Sequence, residues 1–228
     1  MPTKILAFDI ETGPLAMDKL KTIMPEFKPP KNYKDTGAIA KNIIEQEKKW
    51  LANAALNPET GFVCAIGTKT KNDEVYLFAE TIEQEKEILE KWWQIYKDGV
   101  SGGYKIAGWN NYNFDIPFLR KRSFLHNIKM PPAIVHLENI KETKIIDLMK
   151  LYNAPDFRKM SSLNEVSKFL LNDQKSESNG SEFYKILKTE KKRAEQYLQQ
   201  DINLTYKIGE ILTVGKTIAE YNSFGNQE

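Results

Sequence analysis

Lys4-Ile5-Leu6-Ala7-Phe8-Asp9-Ile10 is an almost unbroken apolar run that reads as a buried strand, and it leads straight into Glu11 and Thr12. Side chains alternate across a strand, so Asp9 and Glu11 project to one face while Phe8 and Ile10 turn to the core. Two carboxylates so placed repel each other unless water or a cation separates them. Hard divalent ions such as Mg²⁺ take oxygen ligands of this kind, usually one or two carboxylates with waters and phosphate oxygens. Taken alone, the pair also fits a strand that simply runs out into solvent.

A polar, proline-bearing stretch from about Gly13 to Asp35 predicts no regular structure. Residues 36–56 turn helical, with Ile39, Ile43, Trp50 and Ala54 on one face and Lys41, Lys48 and Lys49 largely off it. Asn57-Pro58-Glu59-Thr60-Gly61 ends that helix with turn residues. Residues 62–68 and 74–78 predict two strands, joined as a hairpin through Lys71-Asn72-Asp73. Residues 83–97 form a helical pattern with Ile88, Leu89, Trp92, Trp93 and Tyr96 on its apolar side. A strand over 105–108, a helix over about 114–126 and a strand over 144–148 follow, then helices over 162–171 and 190 to about 218. Residues 172–181, rich in Ser, Asn and charge, read as an exposed loop. The series predicts an α/β fold with a mixed sheet, one domain over residues 1–228 with an insertion at about residues 13–58.

A chain of 228 residues can bury a sizeable core. Cys64 is its only cysteine, which excludes an internal disulfide and a cysteine-rich zinc site. No apolar run is long enough to span a bilayer and the N-terminus has no signal-peptide pattern, so the cytoplasm is the expected compartment. With 33 basic and 31 acidic residues the net charge is +2, which neither demands nor excludes nucleic acid; a local basic groove would have to supply the attraction.

Two further constellations carry chemistry. Gly108-Trp109-Asn110-Asn111-Tyr112-Asn113-Phe114-Asp115-Ile116-Pro117-Phe118-Leu119 lies between a strand and a helix, with Asp115 in the helix's first turn. A carboxylate there also stabilises the helix start through the macrodipole, and the asparagines also suit a loop. Tyr197-Leu198-Gln199-Gln200-Asp201 places a phenol and a carboxylate one helical turn apart, while Leu198, Ile202 and Tyr206 pack the helix down. An isolated pair of that kind is more simply a half-buried aromatic beside a solvated charge.

In order and character the three resemble the exonuclease motifs of the DnaQ-like, or DEDD, superfamily of 3′–5′ exonucleases. Phe8-Asp9-Ile10-Glu11-Thr12 resembles the first. The run from Asn110 to Leu119 is similar to the second motif as it stands in the proofreading domains of family B DNA polymerases. Tyr197 and Asp201 match the third in its tyrosine form, Tyr-x-x-x-Asp. The only histidines, His126 and His136, lie far upstream of Asp201, so the histidine branch of the superfamily does not fit.

The resemblance implies a ribonuclease H-like fold, with a mixed five-stranded sheet flanked by helices and a mainly helical insertion after the first strand. It implies that Asp9, Glu11, Asp115 and Asp201 gather two Mg²⁺ or Mn²⁺ ions, about 3.5–4 Å apart in such sites, around the scissile phosphate. By motif position Asp9 bridges the ions, Glu11 and Asp201 complete one site, and Asp115 serves the second ion through water. Tyr197 orients the attacking water, since a phenol of ordinary pKa near 10 is a poor base at neutral pH. Thr12, Gly13, Asn110 and Phe114 are expected to contact the terminal nucleotides, with core packing an equal reading for Phe114. Asp147 matches none of the metal positions and is expected to cap or hydrogen-bond.

The implied activity is hydrolysis of single-stranded DNA from its 3′ end, releasing nucleoside 5′-monophosphates. An exoribonuclease is the nearest alternative and a non-catalytic nucleic-acid-binding module the next. No polymerase segment follows in these residues, so any polymerase or replication protein is expected as a separate partner. Lys28, Lys31, Lys34, Lys41, Lys48 and Lys49 make the insertion basic, diluted by Glu26, Asp35, Glu45 and Glu47. Arg120, Lys121 and Arg122, and Lys191, Lys192 and Arg193, flank the second and third motifs. Each cluster either guides a phosphate backbone or is a solvated face.

Overall fold

The computed structural model describes residues 3–33, 35–136, 143–156, 158–173 and 183–214. Five strands form one mixed sheet: β1 (Lys4–Pro14), β2 (Gly61–Lys69), β3 (Glu74–Phe78), β4 (Tyr104–Gly108) and β5 (Ile145–Asp147), in the order β3-β2-β1-β4-β5. β1 runs antiparallel to β2 and parallel to β4, and β4 is parallel to β5. β2 and β3 make the expected hairpin. The mixed five-stranded sheet flanked by helices is the architecture the sequence predicts.

Helices α1 (Met17–Ile23) and α2 (Thr36–Ala52) and a 3₁₀ turn (Ala54–Leu56) separate β1 from β2. Then come α3 (Ile82–Ser101), α4 (Asp115–Leu125), α5 (Pro132–His136), α6 (Leu148–Asn153), α7 (Leu163–Leu171), α8 (Phe183–Thr189) and α9 (Lys191–Val214). The period-2 pattern of β1 sorts its neighbours. Leu6, Phe8 and Ile10 join the core with α3, where Trp92 lies against Phe8 at 4.6 Å between ring centroids. Ile5 and Ala7 face the other way, onto Leu148 of α6 and Tyr206 of α9.

Four helices escape the sequence pattern. α1, α5, α6 and α8 are only 7, 5, 6 and 7 residues long, too short to show a clear 3.6-residue period. Leu148, expected to end the last strand, instead opens α6, because Asp147 caps that helix by accepting from Lys150 N at 3.1 Å. β1 also runs further than expected. It continues past Glu11 to Pro14 by pairing with β2 through a register shift between Glu11 and Thr12. Residues 174–181 of the expected loop, and the end of the last helix beyond residue 214, lie outside the described residues.

Candidate active site

Asp9 and Glu11 lie mid-strand, on the β1 face that meets α9. Pairing between β1 and β4 ends at Ala7–Ala107, so the later N–H groups of β1 on that side lose their ladder partners. Ile10 N, between the two carboxylates, is taken up by Asp115 Oδ1 at 3.2 Å. That bond ties the start of α4 to β1.

The loop delivering Asp115 is fastened at several points. Asn110 adopts a left-handed backbone (φ 59°) and its carbonyl accepts from Asn113 N and Phe114 N. Buried Asn111 donates to Ile146 O at 3.0 Å, Tyr112 OH donates to Ile145 O at 2.9 Å, and Tyr112 N donates to Asp147 Oδ2 at 3.1 Å. Asp147 is therefore a structural clamp as well as a cap. Gly108 leaves room for Asn111, since a Cβ there would lie 2.9 Å from the amide nitrogen.

From the other side α9 supplies Tyr197 and Asp201. Leu198 and Ile202, both fully buried, press against β2 at Gly67, the residue paired with Asp9. A Cβ on Gly67 would sit 2.7 Å from Ile202 and 3.0 Å from Leu198. The bare backbone lets α9 lie close to the sheet, which carries Asp201 down to Asp9. Gly67 is a positioning residue that the sequence pattern does not disclose; a glycine inside a strand was the available signal.

The three carboxylates of Asp9, Glu11 and Asp201 offer oxygens all within 4.8 Å of one another. Glu11 keeps 8% of its surface and Asp201 2%. Two unit charges at that separation repel by roughly 3 kcal/mol at an effective dielectric near 20, before screening. An all-oxygen set of this kind fits a hard divalent cation. Asp115 stands beside the trio; burial, then the charge of Asp9, pushes its pKa well above the ordinary range, while the Ile10 N–H pulls the other way. Burial, then Glu11, Asp201 and Asp9, raises the Tyr197 phenol further above neutrality, and its hydroxyl hydrogen-bonds Asp201. It is a donor at any working pH. All four predicted carboxylates and the tyrosine are thus brought together around the middle of β1.

The expected nucleotide contacts are more mixed. Thr12 is buried. The space beside Gly13 is filled by the ring of Tyr184, since a Cβ there would lie 2.7 Å from it. Tyr184, on the helix the sequence did not reveal, meets Phe62 edge-on at 5.4 Å and carries Lys188 Nζ 4.3 Å above its ring. Asn110 holds Asn113 through its side-chain oxygen at 2.9 Å, and half-buried Phe114 packs on Phe118 at 5.7 Å.

The two flanking basic clusters are partly engaged within the fold. Arg122 is buried against Glu85 (Nη2–Oε2 2.6 Å), Lys121 meets Glu59 at 3.2 Å, and Arg120 donates to Val135 O at 2.8 Å. Lys191 pairs with Glu80 and Arg193 with Glu190. Arg122 is thus taken up inside the fold, while the pairs of Lys121, Lys191 and Arg193 lie at the exposed surface.

Residues 53–213 match the sequence profile of the RNase_H superfamily, and the chain belongs to that superfamily. No curated protein sequence matches it. Among solved structures it is similar to that of the family B DNA polymerase from the hyperthermophilic archaeon Pyrobaculum calidifontis, with a TM-score of 0.60 and 18% identity. The likeness covers 93% of this chain and 25% of the polymerase chain, and at that identity it is a likeness of fold. The ribonuclease H-like fold expected from the motifs is the fold found. Membership supports a nuclease acting on nucleic acid in general, and the acidic cluster matches the use of divalent metal in such folds. No helix of the described residues is long and apolar enough to cross a membrane.

Proposed function

We propose that this chain is a metal-dependent 3′–5′ exonuclease of the tyrosine branch of the DnaQ-like superfamily, a single domain acting on single-stranded DNA ends in the cytoplasm. The observation that carries the reading is the convergence of Asp9, Glu11 and Asp201 within 4.8 Å, with Asp115 hydrogen-bonded to the backbone between the first two. Three sequence segments, up to 192 residues apart between Asp9 and Asp201, supply this one cluster.

Asp9, Glu11, Asp115 and Asp201 would hold two Mg²⁺ or Mn²⁺ ions. When bound, such ions neutralise charge on the scissile phosphate and acidify water. The chain's own residues do the rest. Asp9, on the rigid centre of the sheet, fixes the site, while Glu11 and Asp201 close it from the strand and from α9. The Tyr197 hydroxyl, held on Asp201, would orient the attacking water, since a phenol raised further above its ordinary pKa suits positioning over proton abstraction. By their motif positions Asn110, Phe114, Thr12 and Gly13 would contact the terminal nucleotide. The bond broken is the terminal phosphodiester, leaving a 3′ hydroxyl on the shortened strand and a nucleoside 5′-monophosphate as product.

The test is polarity with metal dependence. Single-stranded DNA and RNA, labelled at the 5′ or the 3′ end, are incubated with Mg²⁺, with Mn²⁺ or with chelator. A 5′ label should yield a descending ladder and a 3′ label an immediate mononucleotide, with chelator abolishing both. Cleavage in chelator, or mononucleotides arising from the 5′ end, overturns the assignment. Faster trimming of RNA would move the substrate to RNA and leave the site chemistry standing.

A further inference from the structure

Helix α2 is an oddity of energetics. It runs for 17 residues, starts on an Asp35 cap that accepts from Ala38 N at 2.6 Å, and buries none of its side chains. Its inner stripe of Ile39, Ile43 and Trp50 is only half-buried. Most helical stability in proteins comes from packing an apolar face, and this helix packs little of one.

That outer face carries three lysines, with exposed Glu45 among them. Lys41 and Lys48, seven residues apart, lie on one line opposite the stripe, with Lys49 flanking them, and all three are exposed. Residues 28–52 hold six lysines against three carboxylates, a larger excess than the whole chain's +2. The ion pairs of the described residues run elsewhere, to Glu26, Glu59, Glu74, Glu80 and Glu85 among others, and take up none of Lys41, Lys48 and Lys49. They differ in this from Arg122, whose guanidinium is buried against Glu85.

The position fits as well. α2 leads into the 3₁₀ turn Ala54–Leu56, which packs on the end of β1. Thr60 Oγ1 donates to Ala54 O at 2.7 Å, and Leu15 N donates to Thr60 O at 2.9 Å. At Gly61 the carbonyls of Ala54, Ala55 and Gly13 converge, each 2.9–3.0 Å from where a Cβ would stand. The root of α2 is therefore bolted beside Gly13, two residues past Glu11. From that root the helix extends about 25 Å, enough to run beside several phosphates of a strand.

We propose that α2 is a phosphate-binding arm that holds the polynucleotide strand away from the cleavage point, through Lys41, Lys48 and Lys49. This rests on the nuclease reading for its substrate, but it makes a separate claim about where the body of the strand lies. On this proposal the arm contacts the body of a long strand rather than its last two nucleotides.

The experiment uses the full chain and a triple variant, Lys41→Ala with Lys48→Ala and Lys49→Ala. Binding of a fluorescein-labelled single-stranded DNA 20-mer is followed by anisotropy across a salt series, with chelator present so that the strand stays intact. Each lost phosphate contact should flatten the slope of log K against log salt by about 0.7, so by about 2 for three, with affinity near 0.1 M salt falling on the order of tenfold or more. In Mg²⁺, KM for the 20-mer should rise while kcat holds, and kcat/KM for a dinucleotide should stay within about twofold. The matching Lys→Arg triple should keep the wild-type slope. An unchanged slope overturns the proposal, as does an equal loss on the dinucleotide or the same loss in the arginine variant. If the wild type cut neither substrate, the nuclease reading would fail while the anisotropy still judged the arm.

Discussion

Glu85 and Asp201 are both carboxylates stripped of water, on opposite faces of the same sheet, and they have opposite company. Glu85, fully buried, accepts three bonds from the Arg122 guanidinium, one from Val63 N at 2.7 Å and one shared with His126 Nε2 at 2.7 Å. Its charge is answered inside the chain, and the network ties α3 and α4 to β2. Asp201, 2% exposed, instead converges with Asp9 and Glu11. The first arrangement is finished without a ligand; in the second, oxygens are gathered where a cation would draw them together. Burial alone does not mark a functional acid. What its neighbours are does.

The comparison breaks most sharply under alanine. Asp201→Ala should cost on the order of a thousandfold or more in kcat, since several kcal/mol of transition-state stabilisation go with a metal site. In chelator its melting temperature should hold or rise, because a repelling charge has gone. Glu85→Ala should show the reverse emphasis, losing about 3–5 kcal/mol of stability by leaving Arg122 buried and unpaired. Denaturant unfolding of both variants, beside single-turnover hydrolysis, checks the pair; a stability loss in Asp201→Ala as large as in Glu85→Ala would erase the distinction.

A smaller effect separates placement from chemistry. Gly67→Val would push a side chain into Ile202 and Leu198 and lift α9 off Asp9. An ångström of misplacement is worth about a hundredfold in rate, and overpacking costs about 1–3 kcal/mol. Crystal or NMR structures of the variant should show α9 displaced; full activity would remove Gly67 from the account.

The smallest effect is a pH dependence of the metal-free protein. Burial and the Asp9 charge raise the folded pKa of Asp115 above its unfolded value near 3.9. A raised carboxyl binds its proton more tightly when folded, so it favours the fold below the unfolded value and this gain is lost as pH rises through the folded pKa. Asp115→Asn should therefore be more stable than wild type at neutral pH in chelator, with the gap closing as pH falls toward about 4. A gap independent of pH would contradict the assigned cause.

Much of this was legible in the chain, for physical reasons. The alternation around Asp9 and Glu11 put both on one face, and the i, i+4 spacing of Tyr197 and Asp201 put both on another. Those periods survive folding. The sequence could not show that β1 continues past Glu11, because its extension depends on a register shift against β2. Nor could it separate Arg122, which is buried, from Lys48, which is exposed, since both sit in basic runs and only the fold supplies Glu85. Tyr184 was hidden because α8 is too brief to leave a period. The insertion's helix was visible, but its lack of burial was not.

The central claim is that the acidic cluster binds divalent cations, and calorimetric titration tests it without relying on turnover. Mn²⁺ is titrated into the full chain with a nucleoside 5′-monophosphate present, and into the Asp9→Ala variant alongside. Saturable binding in the wild type that is lost in the variant is the predicted result. No binding, or binding undiminished by Asp9→Ala, would contradict the account.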